Sequence, residues 1–417
     1  MEEFMQFIDN LNEKEYINFF NSQSNTHFLQ SYEWGQTQKE TRNQIPCYVG
    51  LKDDNNKIVA AALLLKKKTP LNMCYYYAPR GFVIDYENEE LFKTFVDNLK
   101  TYLKNNNAIY LKVDPGIKYQ DINDDASKKE NGSNNYKIFD EFINSGFKHQ
   151  GFYKLYEGNQ PRYTIRINLK QPWDTIENSI SKTFMKTVRK SNNYDLEIKQ
   201  SDDIKTFHDL ILNNANKNDF KAYSLNYYQS FYDNFKKYNH VKIFNAIVYP
   251  DKLIKKTQTE LKELQQKIEN NQIPEKRMAN TKNSIKRLEK DLEVFSPYQN
   301  KYPDGKIICS LICSYTNHAA WTLYIGNDSL GTHTAAVNRC YYEALKDAYD
   351  NNYEFYDLFG TIGDPKTTYK NLAGLHEFKR KFGGEYIEFL GEFDLINKPV
   401  WYKILPHLLK IYRTLKK

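Results

Sequence analysis

The residues with the clearest chemical potential are tyrosines, carboxylates and a lysine near the ends of predicted strands. Tyr324 closes the run WTLYIGN, Asp357 lies in FYDLFG, and Lys379 lies in GLHEFKRKFGG. The chain holds 34 tyrosines. A phenol offers ring area and a hydroxyl, which suits a polar ligand on an apolar wall. Taken singly, each residue also has a structural explanation, because strand tyrosines more often pack than bind.

Several kinds of active site are excluded because their spacing signatures are missing. The eight histidines are scattered without an HExxH pair, and no serine lies in a GxSxG turn. No dinucleotide-binding or P-loop glycine pattern occurs, and 17 glycines leave few loops able to wrap a nucleotide. The RxxGxG cradle of coenzyme A acetyltransferases does not precede the helix predicted from Thr334. We therefore expect no metal and no bound cofactor.

Length and composition predict a cytoplasmic protein of two or more domains, with 417 residues of which 40% are hydrophobic. No run of about 18 apolar residues occurs, and the opening MEEFMQFIDN is acidic where a signal peptide is basic. Five cysteines without a CxxC pair predict buried free thiols. The net charge of +7 is small for a duplex-binding protein but suits one that meets phosphates locally.

The segment from Asp251 to Phe295 predicts a helical hairpin, inserted between the strand-like runs HVKIFNAIVY and KIICSLICSY. Apolar residues recur at heptad-like spacing among Lys, Glu, Gln and Asn, which is typical of a two-stranded coiled coil. The stretch NNQIP reverses the chain, because proline cannot continue the first helix but can open the second. For this arm, a structural or oligomer-forming role and an RNA contact remain equally open.

The order of elements on either side of the arm predicts two mixed α/β domains of one kind. A first unit contains a long helix at 87–105 and a strand at 108–113, and a second repeats the order with a helix at 334–351 and a strand at 353–359. The polar stretch 119–135 predicts a mobile loop. The expected divisions are a first domain at 1–158, a second at 159–250 and 297–396, the arm at 251–296, and a C-terminal amphipathic helix at 397–417.

Six motifs together resemble one known family, namely LQSYEWGQTQK (29–39), YAPRGFVIDY (77–86), LKVDP (111–115), QPRYTIRINL (160–169), YDLFGT (356–361) and GLHEFKRKFGGEYIEFLGEFD (374–394). They resemble the FemABX family of non-ribosomal peptidyltransferases, which build peptidoglycan cross-bridges from aminoacyl-tRNA. The resemblance covers nearly the whole chain. It implies twin acetyltransferase-like (GNAT-type) domains with an inserted coiled-coil arm, and it explains the missing coenzyme A cradle, since the donor arrives on tRNA.

The resemblance implies an aminoacyltransferase that moves glycine, alanine or serine from aminoacyl-tRNA to the stem-peptide amine of lipid II or UDP-MurNAc-pentapeptide. It places the protein in the cytoplasm, at the inner face of the plasma membrane, with homologous bridge-forming transferases as further partners. The C-terminal basic helix either contacts an anionic membrane or packs onto the body. Two alternatives stay open: a tRNA-binding or scaffolding protein without turnover, and an acyl-coenzyme A-dependent N-acyltransferase.

Site residues follow from the resemblance position by position. Lys379 matches a lysine beside the acceptor's phosphates and the reacting ester, where a cation stabilises a developing oxyanion. Its neighbour Phe378 would contribute backbone polarity more than its ring. Tyr324 and Tyr227 match tyrosines of the acceptor channel, and Tyr223 stands where a relative has arginine.

Other positions depart from the family pattern or leave a choice. Some relatives carry a lysine two residues after the tryptophan that is Trp34 here, and this chain has Gln36 at that place with Lys39 as the nearest replacement. The attacking amine also needs a base. Asp114 and Asp357 are the candidates, although each could equally cap a turn.

Overall fold

Two mixed β-sheets covered by helices form the body of the protein in the computed structural model. The structure describes residues 5–24, 26–69, 71–218 and 221–415. One sheet has seven strands and the other has eight. This architecture confirms the predicted α/β class with two mixed-sheet domains and an inserted helical arm.

The first half of the chain builds most of the seven-stranded sheet. Its longest helix, residues 89–105, buries an apolar stripe from Leu91 to Leu103, and the side chain of Asn88 caps it by accepting from the Leu91 N–H. The elements are β1 (Gln6–Ile8), α1 (Glu13–Ser22), α2 (Tyr32–Arg42), β2 (Ile45–Lys52), β3 (Ile58–Thr69), β4 (Met73–Arg80), α3 (Glu89–Asn105), β5 (Ala108–Pro115), β6 (Lys118–Asp121), α4 (Tyr136–Asn144) and β7 (Phe147–His149).

The second half builds most of the eight-stranded sheet and carries the arm. Its elements are β8 (Tyr163–Asn168), α5 (Trp173–Ser179), α6 (Lys182–Ser191), β9 (Glu197–Gln200), α7 (Ile204–Asn218), α8 (Leu225–Lys236), β10 (Val241–Val248), α9 (Pro250–Glu269), α10 (Glu275–Phe295), β11 (Lys306–Tyr315), β12 (Ala319–Asn327), α11 (Ser329–His333), α12 (Ala336–Asp350), β13 (Phe355–Asp357), α13 (Lys370–Arg380), β14 (Glu385–Phe389), β15 (Phe393–Ile396) and α14 (Pro399–Leu415).

Both sheets repeat one order of connections. In the first, β2, β3 and β4 form an antiparallel ladder, and β4 then pairs in parallel with β5 after a crossover through α3. In the second, β10, β11 and β12 form the ladder, and β12 pairs in parallel with β13 after a crossover through α12. The predicted repeat of strands and helix is therefore confirmed.

Two short strands pair in a sheet other than the one that their place in the chain suggests. β6 lies within 1–158 but pairs with β14 in the eight-stranded sheet. β15 lies within 297–396 but pairs with β5 and β7 in the seven-stranded sheet. The stretch 119–135, predicted as a loop, thus begins with the end of a strand. Its polar sequence hides this strand because β6 lies at the edge of its sheet, where no residue of it is fully buried.

The arm interrupts a β-hairpin, as the sequence predicts. β10 and β11 pair antiparallel, with Val248 opposite Lys306 where the arm departs. At the root of the arm, Phe295 is buried in the core of the second domain, and Leu288, two turns earlier in α10, is also buried, whereas the apolar residues farther out are half-buried. Because one partner helix alone covers that outer seam, the arm depends on its root for stability.

Helix α14 packs against the first domain. Leu405 is buried with Met73 and Ile109, and the Tyr402 ring lies 5.2 Å from the Tyr110 ring. Residues 416 and 417 of the predicted helix, and all side chains from 409 onward, lie outside the described part of the chain. Among the described helices, none combines the length and apolar character needed to cross a bilayer.

The segment between α1 and α2 forms a wedge between the domains. The Phe28 ring lies 5.3 Å from the Trp321 ring of the second domain. The fully buried Gln30 side chain donates to the carbonyls of Leu63 (3.2 Å) and Pro79 (2.9 Å) and accepts from the Leu63 N–H (2.9 Å). β3 and β4 diverge at Leu65, where their pairing stops. The Gln30 side chain replaces the interstrand hydrogen bonds that are missing there.

Replacing Gln30 with Ala should therefore destabilise the fold, because three buried backbone groups lose their partners. We expect the free energy of unfolding to fall by about 3 kcal/mol. Urea denaturation followed by circular dichroism measures the change. Gln272→Ala, the same substitution at the exposed turn of the arm, is the matched control. Equal midpoints for the two variants would contradict this role of Gln30.

Candidate active site

A cleft of about 380 Å³ lies between the two domains. Helix α2 and strands β3 and β4 supply one wall, and α8 and β12 supply the other. The loops before β8 and after β13 complete the lining. Its principal side chains are Trp34, Arg42, Lys67, Tyr77, Tyr156, Tyr223, Tyr227, Tyr324 and Phe359.

The three tyrosines predicted for the acceptor site come together in this cleft. The hydroxyls of Tyr227 and Tyr324 are 3.0 Å apart, and the rings of Tyr223 and Tyr227 are 4.2 Å apart. The β11–β12 ladder skips Leu323, and this bulge brings Leu323 and Tyr324 together into the lining. Burial raises the pKa of Tyr227 and that of Tyr324, so both phenols stay protonated; one O–H serves their mutual hydrogen bond and the other is left to donate to a ligand.

Two cations line the same cleft as Tyr223, Tyr227 and Tyr324, which together form its tyrosine wall. The Arg42 guanidinium lies 4.8 Å from the centre of the Tyr223 ring, within reach of a cation–π contact. Lys67 lies on β3 in the same lining. Burial, and after it the repulsion from the Arg42 charge, lowers the pKa of Lys67. An anionic group between them would relieve this repulsion.

Helix periodicity decides which residues of α2 reach the cleft. Trp34, Gln38 and Arg42 recur every four residues and line it. Gln36 instead donates to the Tyr48 hydroxyl (3.3 Å), and Lys39 is exposed outside the lining. Sequence reasoning missed Arg42, although its spacing from Trp34 was a usable signal.

Asp114 lies directly behind the cleft wall. It is buried, and its carboxylate accepts from the Tyr77 hydroxyl (3.0 Å) and from the Arg80 N–H (2.8 Å). Burial raises the pKa of Asp114 to about 6, although the Arg80 charge opposes the shift. Since Tyr77 lines the cleft, its hydroxyl connects the cleft to this carboxylate.

Asp357, the other candidate base, is occupied by structural bonds. It forms a salt bridge with Arg166 (3.1 Å) and accepts from the Thr164 hydroxyl (2.5 Å) and the Phe359 N–H (2.8 Å). It does not belong to the lining of the cleft. These contacts hold the loop after β13 in place.

Lys379 is buried one peptide layer behind the cleft. Its ammonium donates to the carbonyls of Phe359 and Gly360, the latter at 2.6 Å. The Tyr156 hydroxyl donates to the same Gly360 carbonyl at 2.9 Å, and the Tyr156 and Phe359 side chains line the cleft. Burial lowers the pKa of Lys379 to about 7, with partial compensation by the Asp357 charge.

The ring of Phe378 points away from the cleft and packs in the second domain. It lies 5.1 Å from the Tyr341 ring and 5.9 Å from the Phe184 ring. Its carbonyl accepts from the Lys381 N–H (3.2 Å), which helps to end α13. The side chain thus anchors the helix that carries Lys379.

The raised pKa of Asp114 predicts a pH-dependent stability difference. The ionised carboxylate destabilises the folded state, so this cost is absent below the unfolded pKa and grows as the pH rises through about 6. Asp114→Asn cannot titrate. The free energy of unfolding of the parent relative to Asp114→Asn should therefore fall by about 1.4 kcal/mol between pH 5 and pH 7.5, as measured by urea unfolding. A difference independent of pH would refute the assignment.

Comparisons with known proteins show the family and the fold of the chain. The lipid II:glycine glycyltransferase of Staphylococcus aureus is 26% identical over 433 residues, covering 97% of this chain and 98% of that protein. A crystal structure of FemX matches with a TM-score of 0.76 and 24% identity, covering 96% of this chain and 99% of that one, which shows a common fold. The sequence model of the FemAB family matches residues 11–410. The chain therefore belongs to the FemAB family.

Proposed function

We propose that this protein transfers glycine, alanine or serine from the 3′ ester of an aminoacyl-tRNA to the stem-peptide amine of a peptidoglycan precursor. The observation that carries the proposal is the cleft in which a tyrosine wall faces Arg42 and Lys67. Membership of the FemAB family supports it, as does the name of the S. aureus relative, lipid II:glycine glycyltransferase.

The acceptor's diphosphate would lie between Arg42 and Lys67. Close cations in a partly buried cleft attract a multiply charged anion more strongly than exposed ones do, because water screens them less. The Tyr227–Tyr324 pair can donate one O–H to a sugar or phosphate oxygen of the acceptor, because the other O–H joins the two phenols. Arg42 and Lys67 thus supply the positive charges that some relatives carry at positions 36 and 223, where this chain has Gln36 and Tyr223.

Asp114 is the stronger candidate for the base, because Asp357 is committed to Arg166 and Thr164. The acceptor ammonium gives a proton to the Tyr77 hydroxyl as that hydroxyl passes its own proton to Asp114. The freed nitrogen attacks the ester carbonyl, a C–N bond forms, and the C–O bond to the ribose breaks. The departing 3′ oxygen takes the second proton of the nitrogen. A carboxylate with a pKa of about 6 is suited to this exchange.

Lys379 would stabilise the oxyanion that forms on the ester carbonyl. A protonated amine has three N–H donors, and Phe359 and Gly360 use two of them. Its positive charge would therefore act on the oxyanion from one peptide layer behind the cleft, through the Phe359–Gly360 backbone that it holds. A lysine with a pKa of about 7 carries its charge below that pH, so oxyanion stabilisation should weaken at alkaline pH.

The donor RNA would approach across α6, which packs against α13. The Ser181 N–H donates to the Lys381 carbonyl (2.7 Å), and the rings of Phe184 and Phe382 are 4.5 Å apart. Phe184, Met185 and Val188 bury the inner face of α6. The outer face exposes Lys182, Lys186, Arg189 and Lys190, a basic surface next to the Lys379 helix that suits a phosphate backbone.

Two other functions make different predictions in one assay. Purified protein is incubated with charged tRNA, muropeptide precursor and acetyl-coenzyme A, and the labelled amino acid and the thioester are followed. Label reaching the precursor supports the proposal. Binding of tRNA without turnover indicates a scaffold, and consumption of acetyl-coenzyme A indicates an ordinary N-acyltransferase.

Lys379→Ala should lower the rate of transfer on the order of 100-fold, because the buried positive charge behind the oxyanion site is lost. Lys381→Ala, two residues away and exposed, is the matched control and should keep the parental rate. Thermal melts of both variants check that they are folded. Parental activity in Lys379→Ala would reject this placement of the site.

Arg42→Gln and Lys67→Gln should each raise the KM for the precursor roughly tenfold with a smaller change in kcat, because each loses one charge contact to the diphosphate. Lys39→Gln removes an exposed charge from the same helix as Arg42 and serves as the control. Steady-state kinetics at fixed ionic strength give both constants. If Lys39→Gln raised KM as much as Arg42→Gln, the general charge of α2 and not the cleft would bind the acceptor.

A further inference from the structure

We propose that one end of the first domain docks on an anionic lipid bilayer. The docking surface consists of Leu71 and Asn72, which precede β4, and the first turns of α14. Leu71 is 69% exposed, Val400 is 67% exposed and Ile404 is 39% exposed. Lys68 and Lys403 are exposed beside them in the chain. Apolar tips among lysines are typical of surfaces that insert into a membrane interface.

Hydrogen bonds bring the two parts of this docking surface together. The Asn107 side chain donates to the Asn72 carbonyl (3.0 Å), next to Leu71. Lys398 donates to the Asn107 side-chain oxygen, next to the start of α14. The N–H groups of Asn397 and Lys398 also bond the Ile109 carbonyl, at 3.0 and 2.9 Å. Leu71 and Val400 therefore lie on either side of one fixed turn.

The charge of the contributing segments favours an anionic partner. Residues 55–84, which include Leu71 and Asn72, contain no Asp or Glu, and neither do residues 395–417. Lysines near an anionic membrane surface are attracted to it over about a Debye length. An uncharged surface on a partner protein would offer these lysines no opposite charge.

Packing does not account for the exposed side chains. The opposite side of α14 already packs on the body through Trp401, Tyr402 and Leu405. Val400 and Ile404 lie one turn apart, so they occupy one face of the helix. This face is free to enter a lipid interface while the other holds the helix in place.

The docking surface also lies next to the cationic part of the cleft. The Lys67 ammonium lies 5.6 Å from the Tyr75 ring, which stacks on Tyr110 at 5.1 Å, and Tyr110 meets Tyr402 of α14 at 5.2 Å. Lys67 precedes Leu71 by four residues, which is roughly 13 Å along an extended strand. A diphosphate held at Lys67 would therefore lie close to the bilayer.

The position of the docking surface beside the cleft indicates which form of the acceptor the protein uses, and this step rests on the proposed function. An acceptor joined to a polyprenyl chain through a diphosphate could keep its lipid in the bilayer while its phosphates enter the cleft. The acceptor of this protein is then the lipid-linked precursor, and the nucleotide-linked form is the poorer substrate in the presence of membranes.

The first test is co-sedimentation of the full chain with vesicles of phosphatidylglycerol and phosphatidylcholine in equal parts. We expect binding to these vesicles and little to phosphatidylcholine alone. Leu71→Glu/Val400→Glu should weaken binding at least tenfold, because two inserted apolar groups become repelled charges. Ile143→Glu/Leu212→Glu, at exposed apolar positions elsewhere, is the control and should bind like the parent. Absence of parental binding, or equal binding by both double variants, would overturn the proposal.

The second test compares transfer to UDP-MurNAc-pentapeptide in solution with transfer to the lipid-linked precursor in the same vesicles. Leu71→Glu/Val400→Glu should keep the parental rate with the soluble acceptor and lose at least tenfold with the embedded one. Equal losses with both acceptors would overturn the membrane role. If the parent transferred to neither acceptor, the proposed function would fail, while sedimentation would still decide the docking surface.

A second copy of the chain is the competing occupant of this surface. Analytical ultracentrifugation of the parent and of Leu71→Glu/Val400→Glu separates the two cases. A monomeric parent that binds anionic vesicles supports the proposal. A parental dimer that the double variant dissociates, without vesicle binding, would replace it with a dimer interface.

Discussion

The geometry of the cleft depends on backbone ladders that tie the two domains together. β15 follows the second domain yet pairs with β5, and β6 precedes that domain yet pairs with β14. Lys112 of β5 reinforces the first exchange through salt bridges to Glu392 (3.0 Å) and Asp394 (2.9 Å). Rotation of one domain against the other would break these bonds. The walls of the cleft, although they come from distant parts of the chain, are therefore held at one separation.

Each domain opens its sheet where it meets the cleft. In the first domain, β3 and β4 diverge beyond Leu65, and the buried Gln30 amide takes over the released backbone groups. In the second domain, the bulge at Leu323 turns Tyr324 into the lining. An unbroken sheet would present alternating side chains and no recess at either place. The local irregularities of both sheets thus create the space for a substrate.

Burial is the common cause of the altered acidities around this space. It raises the pKa of Asp114 and lowers the pKa of Lys67 and that of Lys379, because each charged form loses contact with water. Asp114 and Lys379 are thereby brought to pKa values of about 6 and about 7, where proton exchange at neutral pH requires little free energy. Their neighbours Tyr77 and Gly360 connect them to the cleft wall.

Patterns of short range were readable from the order of residues alone. Heptad spacing revealed the arm, the repeated order of strands and helices revealed two related domains, and local motifs led to the family and to Tyr227 and Tyr324, which share one cleft. These features depend on neighbours within a few turns, so sequence spacing carries them. Tertiary structure alone decided that β6 and β15 exchange sheets and that Arg42 and Lys67 line one cleft. It also decided that Asp114 is buried behind Tyr77 and that Asp357 is engaged in a salt bridge with Arg166. These features arise from contacts between residues tens to hundreds of positions apart. Local sequence spacing does not predict which distant strand a segment will pair with, or how deeply a charged side chain will be buried.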